Sequence, residues 1–268
     1  MGKTVLLFFF GAVTFGCDST APHLSFAVEQ RLLRETTLDD MPEGQASAAD
    51  SIVRVTRTGR YAGACSGALI GPRHVLTAEH CMMKVDATRE LTETEIYPGD
   101  VHVELGGDYL PWGRVAVREI HGCPGYTDDV AHDVAVLVLS KPVPADVPIL
   151  DVSFAIPDQA GIYELGGFGS NKKPRAMPGT DWYVWSRTRH LYTGPILGAT
   201  ASEIAVQLPG VPGDSGGPIL DVASGRVIAV VSRGRPDAEP SKEDPGGPLV
   251  KGPRLITCKK TIEDALAR

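Results

Sequence analysis

From residue 52 onward the chain is a series of short apolar and β-branched runs separated by clusters of Gly, Pro and Asp. The runs are Ile52–Thr56, Ser66–Ile70, His74–Thr77, Val101–Leu105, Arg114–Ile120, Val134–Leu139, Tyr183–Leu191, Ile204–Leu208 and Val227–Val231. Runs this short, each bounded by turn-forming residues, predict strands rather than helices, and their number predicts an all-β barrel or sandwich. No repeat of fixed period is visible. The pattern changes at the C-terminus, where Lys259–Ala267 sets Ile262, Ala265 and Leu266 at helical spacing and predicts one short amphipathic helix. Four prolines (Pro142, Pro144, Pro148 and Pro157) punctuate residues 142–158.

The chain before residue 51 follows other rules. Lys3 supplies a positive charge, Val5–Phe15 is almost wholly apolar, and Gly16-Cys17 closes the stretch before the polar Asp18-Ser19-Thr20. The apolar part is too short to cross a bilayer as a helix, so residues 1–17 are expected to be a signal peptide. A small residue followed by cysteine resembles the bacterial lipobox, in which Cys17 is lipidated after cleavage, although Thr14 and Phe15 depart from that motif. The protein is therefore expected to be exported from a bacterial cell, as a membrane-anchored lipoprotein or as a secreted protein. Residues 18–50 mix Ser, Thr, Ala, Pro and acidic residues without a sustained period and read as a linker or propeptide, with one short helical turn at Arg31-Leu32-Leu33-Arg34.

Composition narrows the classes of function. Among 268 residues, 26 are basic and 33 acidic, a net charge of −7, and no basic cluster offers a footprint for nucleic acid. Setting Cys17 aside, the five cysteines leave four, an even number that suits an oxidising compartment and permits three pairings. The seven histidines are scattered, and neither His-x-x-x-His nor Cys-x-x-Cys occurs. Neither a metal site nor a cofactor is expected, and Glu79-His80-Cys81 is a weak candidate for zinc.

Three other stretches fit one another in order: Thr77-Ala78-Glu79-His80-Cys81, Asp133-Val134-Ala135-Val136-Leu137 and Gly213-Asp214-Ser215-Gly216-Gly217-Pro218. They supply a base, an orienting carboxylate and a nucleophile. A serine hydroxyl is a weak nucleophile until a histidine takes its proton, and a buried carboxylate holds that histidine in the useful tautomer. Glycines around Ser215 allow a sharp turn in which the amides of Gly213 and Ser215 converge on a developing oxyanion. Gly213-x-Ser215-x-Gly217 also satisfies the α/β-hydrolase elbow, but that fold needs its histidine after the serine, and the last histidine here is His190. The order histidine, aspartate, serine also excludes the subtilisin arrangement.

In these motifs and their order the chain resembles the chymotrypsin/trypsin-like serine proteases over roughly residues 52–266. Thr77–Cys81 is similar to the family's Thr-Ala-Ala-His-Cys, with Glu79 in place of an alanine; His132–Leu137 is similar to its Asp-Ile-Ala-Leu-Leu strand; Gly213–Pro218 matches its nucleophile motif. The resemblance implies two antiparallel β-barrels with a short C-terminal helix, one over about 51–145 and the other over about 155–258, with a cleft between them. It implies His80 as general base, Asp133 as orienter, Ser215 as nucleophile, and a protein or peptide as substrate. It also implies a disulfide between Cys65 and Cys81, which leaves Cys123 with Cys258.

Departures from the family bear on activation and specificity. The family's Ile-Val-Gly-Gly terminus, which buries itself against the aspartate preceding the serine, is absent, since Ile52-Val53 is followed by Arg54. A buried Asp214 without a countercharge would be costly, so an internal cation is expected there, with Lys172, Lys173 or Arg175 as candidates. Pro209 stands where trypsin-like members carry a specificity aspartate, which argues against cleavage after Lys or Arg. Ser232-Arg233-Gly234 resembles the substrate-pairing Ser-Trp-Gly, and Arg233 or Arg235 could hold an acidic side chain. The competing class is a catalytically weak or inactive protease-fold binding protein on the cell surface.

Overall fold

The computed structural model describes residues 44, 46–57, 63–85, 91–107, 111–170, 175–176, 183–184, 188–235 and 246–268. The expected signal peptide, the lipidation site Cys17 and the segment up to residue 43 lie outside the described residues. In chain order the strands are β1 (Ile52–Arg57), β2 (Gly63–Gly71), β3 (His74–Thr77), β4 (Met83–Val85), β5 (Leu91–Glu95), β6 (Val101–Leu105), β7 (Gly113–Gly122) and β8 (Ala135–Leu139). After a strandless stretch come β9 (Ile162–Gly167), β10 (Arg175–Ala176), β11 (Tyr183–Val184), β12 (His190–Ala199), β13 (Glu203–Val206), β14 (Pro218–Asp221), β15 (Arg226–Val230), β16 (Arg233–Arg235) and β17 (Leu249–Pro253), and then the helix α1 (Lys259–Leu266).

Strands β1-β2-β3-β8-β7-β6 close into an antiparallel barrel, and β15-β14-β9-β12-β13-β17-β16 form a seven-stranded antiparallel sheet curled into a half-barrel. The all-β expectation of two barrels and a terminal helix is met in this form. The strandless stretch between β8 and β9 coincides with the prolines at 142–157, which cannot donate to a ladder.

Strands covered on both faces carry the densest apolar sequence. Every residue of β8 is buried: Ala135, Leu137 and Leu139 face the barrel core with Val53, Val55, Leu69 and Val103, while Val136 faces outward into a second cluster with Leu76, Leu255 and Ile262. That second cluster roots α1, through Ile262 and Ala265, on the barrel wall. Leu266, expected on the same face, is 37% exposed because it begins the frayed last turn. The curled sheet has its own core of Tyr163, Leu165, Ile204, Val206, Ile219 and Val250 among others.

In β1, Val53 and Val55 point into the barrel, and Ile52 and Arg54 point to a face that the curled sheet covers. Ile52 packs on Gly166 of β9, where a methyl group would collide with its side chain. Arg54 is 2% exposed; its Nη1 donates to Glu104 Oε2 at 2.9 Å and its guanidinium lies 4.9 Å from the centre of the Phe168 ring. A buried ion pair contributes little net stability, but removing one partner strands the other charge, so this pair fixes β1 against β6 within the barrel, and the same guanidinium reaches across to Phe168 next to β9.

Two sequence regions without strand character are strands here. In β9 (Ile-Tyr-Glu-Leu-Gly-Gly) the glycines conceal the pattern, yet they are required where Ile52 and Asp214 approach the backbone. In β12, Gly194 and Pro195 hide a ten-residue strand whose pairing with β9 ends at Pro195 and whose pairing with β13 shifts register between Ile196 and Gly198. The segment expected as linker or propeptide is docked at its end: Asp50, 2% exposed, accepts from Arg189 Nη1 at 2.7 Å and from Trp112 Nε1 at 3.2 Å. The structure pairs Cys65 with Cys81 and Cys123 with Cys258. The second bridge joins the end of β7 to the start of α1.

His102 on β6 gives the fold a dependence on pH. Burial foremost, then the Arg114 guanidinium, pulls its imidazole down to about 4, opposed by Asp100. The unfolded chain protonates this group near its ordinary value of 6.5, so its stabilising contribution is complete above pH 6.5 and is lost as pH falls toward 4. With solvent screening of a half-buried group, the loss is about 1–2 kcal/mol. Urea denaturation at pH 7 and pH 4 should show this much less acid destabilisation in His102→Gln than in the parent; equal slopes would contradict it.

Candidate active site

His80 stands on the 3₁₀ turn Glu79–Met82 that follows β3, and the Cys65–Cys81 disulfide fastens that turn to β2. Glu79, the charged departure in this motif, does not face solvent. It is 3% exposed and its carboxylate lies over Gly122, where any β-carbon would overlap the carboxylate oxygens. Gly122 makes the room that Glu79 needs.

Asp133 lies just before β8 and is 2% exposed. Its Oδ1 accepts from the His80 backbone N–H at 2.8 Å, and its Oδ2 is 2.7 Å from His80 Nδ1. Ser232, from the curled sheet, donates to the same Oδ2 at 2.5 Å. A carboxylate can only accept, so Nδ1 carries its proton and Nε2 is left with the lone pair. The arrangement orients a base and leaves its reactive nitrogen on the partly exposed edge of the ring.

The serine turn is built by close backbone approaches. Gly213 has φ +105° and Gly216 has φ +81°, values that side chains disfavour. The carbonyls of Gly213 and Ser215 are held by Ser66, whose Oγ donates to the first and whose backbone N–H donates to the second, each at 2.8 Å. Thr77 Oγ1 donates to the Ser66 carbonyl at 2.8 Å, so the histidine loop and the serine turn are braced by one residue. Among the described residues the amides of Gly213 and Ser215 have no acceptor, whereas those of Asp214, Gly216 and Gly217 do. Two amide donors left open on one turn are the raw material of an oxyanion site.

His80 and Ser215 flank one sulfur: Cys81 Sγ is 3.8 Å from His80 Nε2 and 3.7 Å from the Ser215 carbonyl oxygen. No hydrogen bond joins the Ser215 hydroxyl to His80. Of the three predicted residues, the structure couples His80 with Asp133 directly and brings Ser215 beside them. Cys65, His80 and Cys81 present donor atoms within 4.8 Å of one another, but both sulfurs belong to the disulfide and offer no thiolate to a metal.

Asp214 is wholly buried behind the turn. Gly169 N donates to its Oδ1 at 2.8 Å and Val211 N to its Oδ2 at 3.0 Å. The imidazole beside it is His190, with Nε2 2.8 Å from Oδ1 in a ring orientation that forms no hydrogen bond. Sequence did not single out His190 for this place. Lys172 and Lys173 lie outside the described residues, as does the side chain of Arg175.

The predicted substrate-binding residues divide between two faces of the β16–β17 ribbon. On one face Gly210 and Gly234 touch: a β-carbon on Gly210 would lie 3.0 Å from Gly234 Cα and 2.8 Å from Val250 Cγ2. The segment from Pro209 to Gly210 thus closes directly on Gly234, with no room for a side chain between them. On the other face Arg233, Arg235, Leu249 and Lys251 line a pocket of about 230 Å³. Arg233 Nη2 donates to the carbonyl and carboxylate of Asp128 at 2.7 and 2.8 Å, and Arg235 Nε to the Gly247 carbonyl at 3.1 Å. Asp128 also accepts from Tyr126 Oη at 3.2 Å; burial, followed by the Asp133 and Asp128 charges, pushes the Tyr126 phenol up. Ser66 and Asp128 carry no sequence signal for these roles.

A model of the family described as trypsin matches residues 41–249. A cercarial protease from Schistosoma mansoni is 27% identical over 198 residues, spanning 63% of this chain and 70% of that one. A glutamyl endopeptidase from Bacillus licheniformis is 24% identical over 191 residues, spanning 66% of this chain and 55% of its own length. Among solved structures, a Glu endopeptidase in complex with MPD superposes with a TM-score of 0.62 at 20% identity, covering 83% of this chain and 93% of that one. A thermostable serine protease from an extremophilic microorganism gives 0.58 at 18% identity, covering 81% and 97%.

Gly216 tests this construction. With φ +81°, and with a β-carbon that would run into Thr77 Oγ1, the Ser66 carbonyl and the Ala78 amide, Gly216→Ala should cost at least about 2 kcal/mol. A thermal midpoint equal to that of the parent would show that the two loops are not held this closely.

Proposed function

Since the chain belongs to the trypsin family of peptidases, we propose that it is a serine endopeptidase working through His80, Asp133 and Ser215. The observation that carries the proposal is the Asp133 carboxylate, which accepts from His80 Nδ1 and Ser232 Oγ, together with the Gly213 and Ser215 amides, which have no acceptor among the described residues. A bound peptide presents its carbonyl carbon to Ser215 Oγ, and His80 Nε2 takes the hydroxyl proton as the bond forms. The carbonyl oxygen, now negative, accepts from the two free amides. His80 returns the proton to the leaving amine, an acyl ester remains on Ser215, and water repeats the two steps to release the acid. The Ser215–His80 hydrogen bond belongs to the substrate complex, since such contacts are commonly long or misaligned in the free enzyme. Two disulfides fit a protein working outside the cytosol.

A fluorophosphonate probe should label the parent and not Ser215→Ala, and that variant should lose turnover by a factor on the order of a million with its circular dichroism unchanged. Asp133→Asn should lose about ten-thousandfold, because the amide favours the wrong tautomer of His80. Undiminished hydrolysis by Ser215→Ala would move the chemistry elsewhere.

For specificity we propose a small residue immediately before the scissile bond and an acidic side chain elsewhere in the bound segment. The contact between Gly210 and Gly234 under Val250 favours the first, and Pro209 offers no carboxylate to a basic side chain. Arg233, Arg235 and Lys251 favour the second. Profiling with a peptide library should therefore enrich Gly or Ala at the cleaved residue and Asp or Glu among its neighbours. Lys251→Ala should weaken the acidic preference several-fold. Preferred cleavage after Lys or Arg would contradict both parts.

A further inference from the structure

The serine turn contains a charge that the chemistry above does not use. Asp214 sits between the two residues whose amides form the oxyanion site, it is 0% exposed, and a carboxylate at such a place is sustained only by donors and a countercharge. The backbone is shaped to receive it: β-carbons at Gly167 and Gly169 would overlap its Oδ1. Its two amide donors come from Gly169 and Val211, and the basic side chain paired with it among the described residues is His190.

His190 opens β12 directly opposite Gly167 of β9, with its side chain 10% exposed. Its Nε2 is 2.8 Å from Asp214 Oδ1 and its ring lies tilted at 46° to that of Tyr192, centroids 4.8 Å apart. The preceding residue, Arg189, is committed to Asp50, and Arg54, over the Phe168 ring, is committed to Glu104. Neither of these cations is directed at Asp214.

On the premise that the chain is a serine protease, we infer that His190, as an imidazolium, is a built-in activating cation: a positioning residue that holds Asp214 and with it the Gly213–Ser215 turn. In this account the oxyanion site exists in the uncut chain, and no new amino terminus has to be inserted to form it. The path of the chain agrees. Residues 46–51 run continuously into β1, tied down through Ser47, Asp50 and Arg189, and the amino side of Ile52 is engaged with Ala49.

The test uses the full chain, His190→Gln, His190→Lys, Asp214→Asn and the double variant His190→Gln/Asp214→Asn. Fluorophosphonate labelling followed by intact mass should find the probe on chains that still carry residues 46–51. Labelling should slow by a factor on the order of a hundred in His190→Gln, as for loss of an oxyanion donor, and recover to within about tenfold of the parent in His190→Lys. The double-mutant cycle on unfolding provides a second readout that does not depend on His190→Gln being active. If the two groups form an ion pair, the double variant should be at least about tenfold more folded than additivity predicts, since both charges are then removed. Labelling confined to chains cut next to Ile52, an unchanged rate in His190→Gln, or an additive cycle would each overturn the inference. A parent that never labels would instead sink the protease assignment and leave the cycle to decide the ion pair.

Discussion

One carboxylate, Asp133, couples the two halves of this protein. It arises from the barrel, accepts twice from His80 of the barrel and once from Ser232 of the curled sheet, and has almost no contact with water. Buried charge of this kind tolerates no misalignment, because each lost donor leaves an acceptor that solvent cannot reach. The barrel and the sheet must therefore meet in one register. Arg54 over the Phe168 ring, Ile52 on Gly166, and Ser66 bonded to the serine turn enforce the same register from other directions.

The glycines around the site follow from that constraint. Gly122 makes room for Glu79, Gly167 and Gly169 for the Asp214 carboxylate, and Gly216 for the approach of Thr77 and Ser66. In each case a side chain is missing so that a charge or a loop can come within contact distance of backbone. The site is thus crowded from behind, while the Gly213 and Ser215 amides have no acceptor among the described residues.

Much of this was legible in the sequence, for a physical reason. Strands of the closed barrel have both faces covered or alternate cleanly, so β8 stands out as an unbroken apolar run and β6 as an alternating one, and Val134–Leu139 predicts β8 to within a residue. The three site motifs are local, each carrying its own turn or strand chemistry. The curled sheet is less transparent because its strands adjoin the site: β9 and β12 have given up β-formers for Gly166, Gly167, Gly194 and Pro195. Partners that meet only through the fold had no sequence signal, and Ser66, Asp128 and the placement of His190 beside Asp214 are of this kind. The one hint for His190 was its being the last histidine in the chain, used to exclude another fold rather than to fill a role.

The most direct measurement is a crystal structure of the protein after inactivation by an organophosphonate. The account predicts phosphorus bonded to Ser215 Oγ, a phosphoryl oxygen at about 2.7–3.1 Å from the amides of both Gly213 and Ser215, and His80 still bonded through Nδ1 to Asp133. An unmodified Ser215, or an adduct whose oxygen points away from those amides, would contradict it.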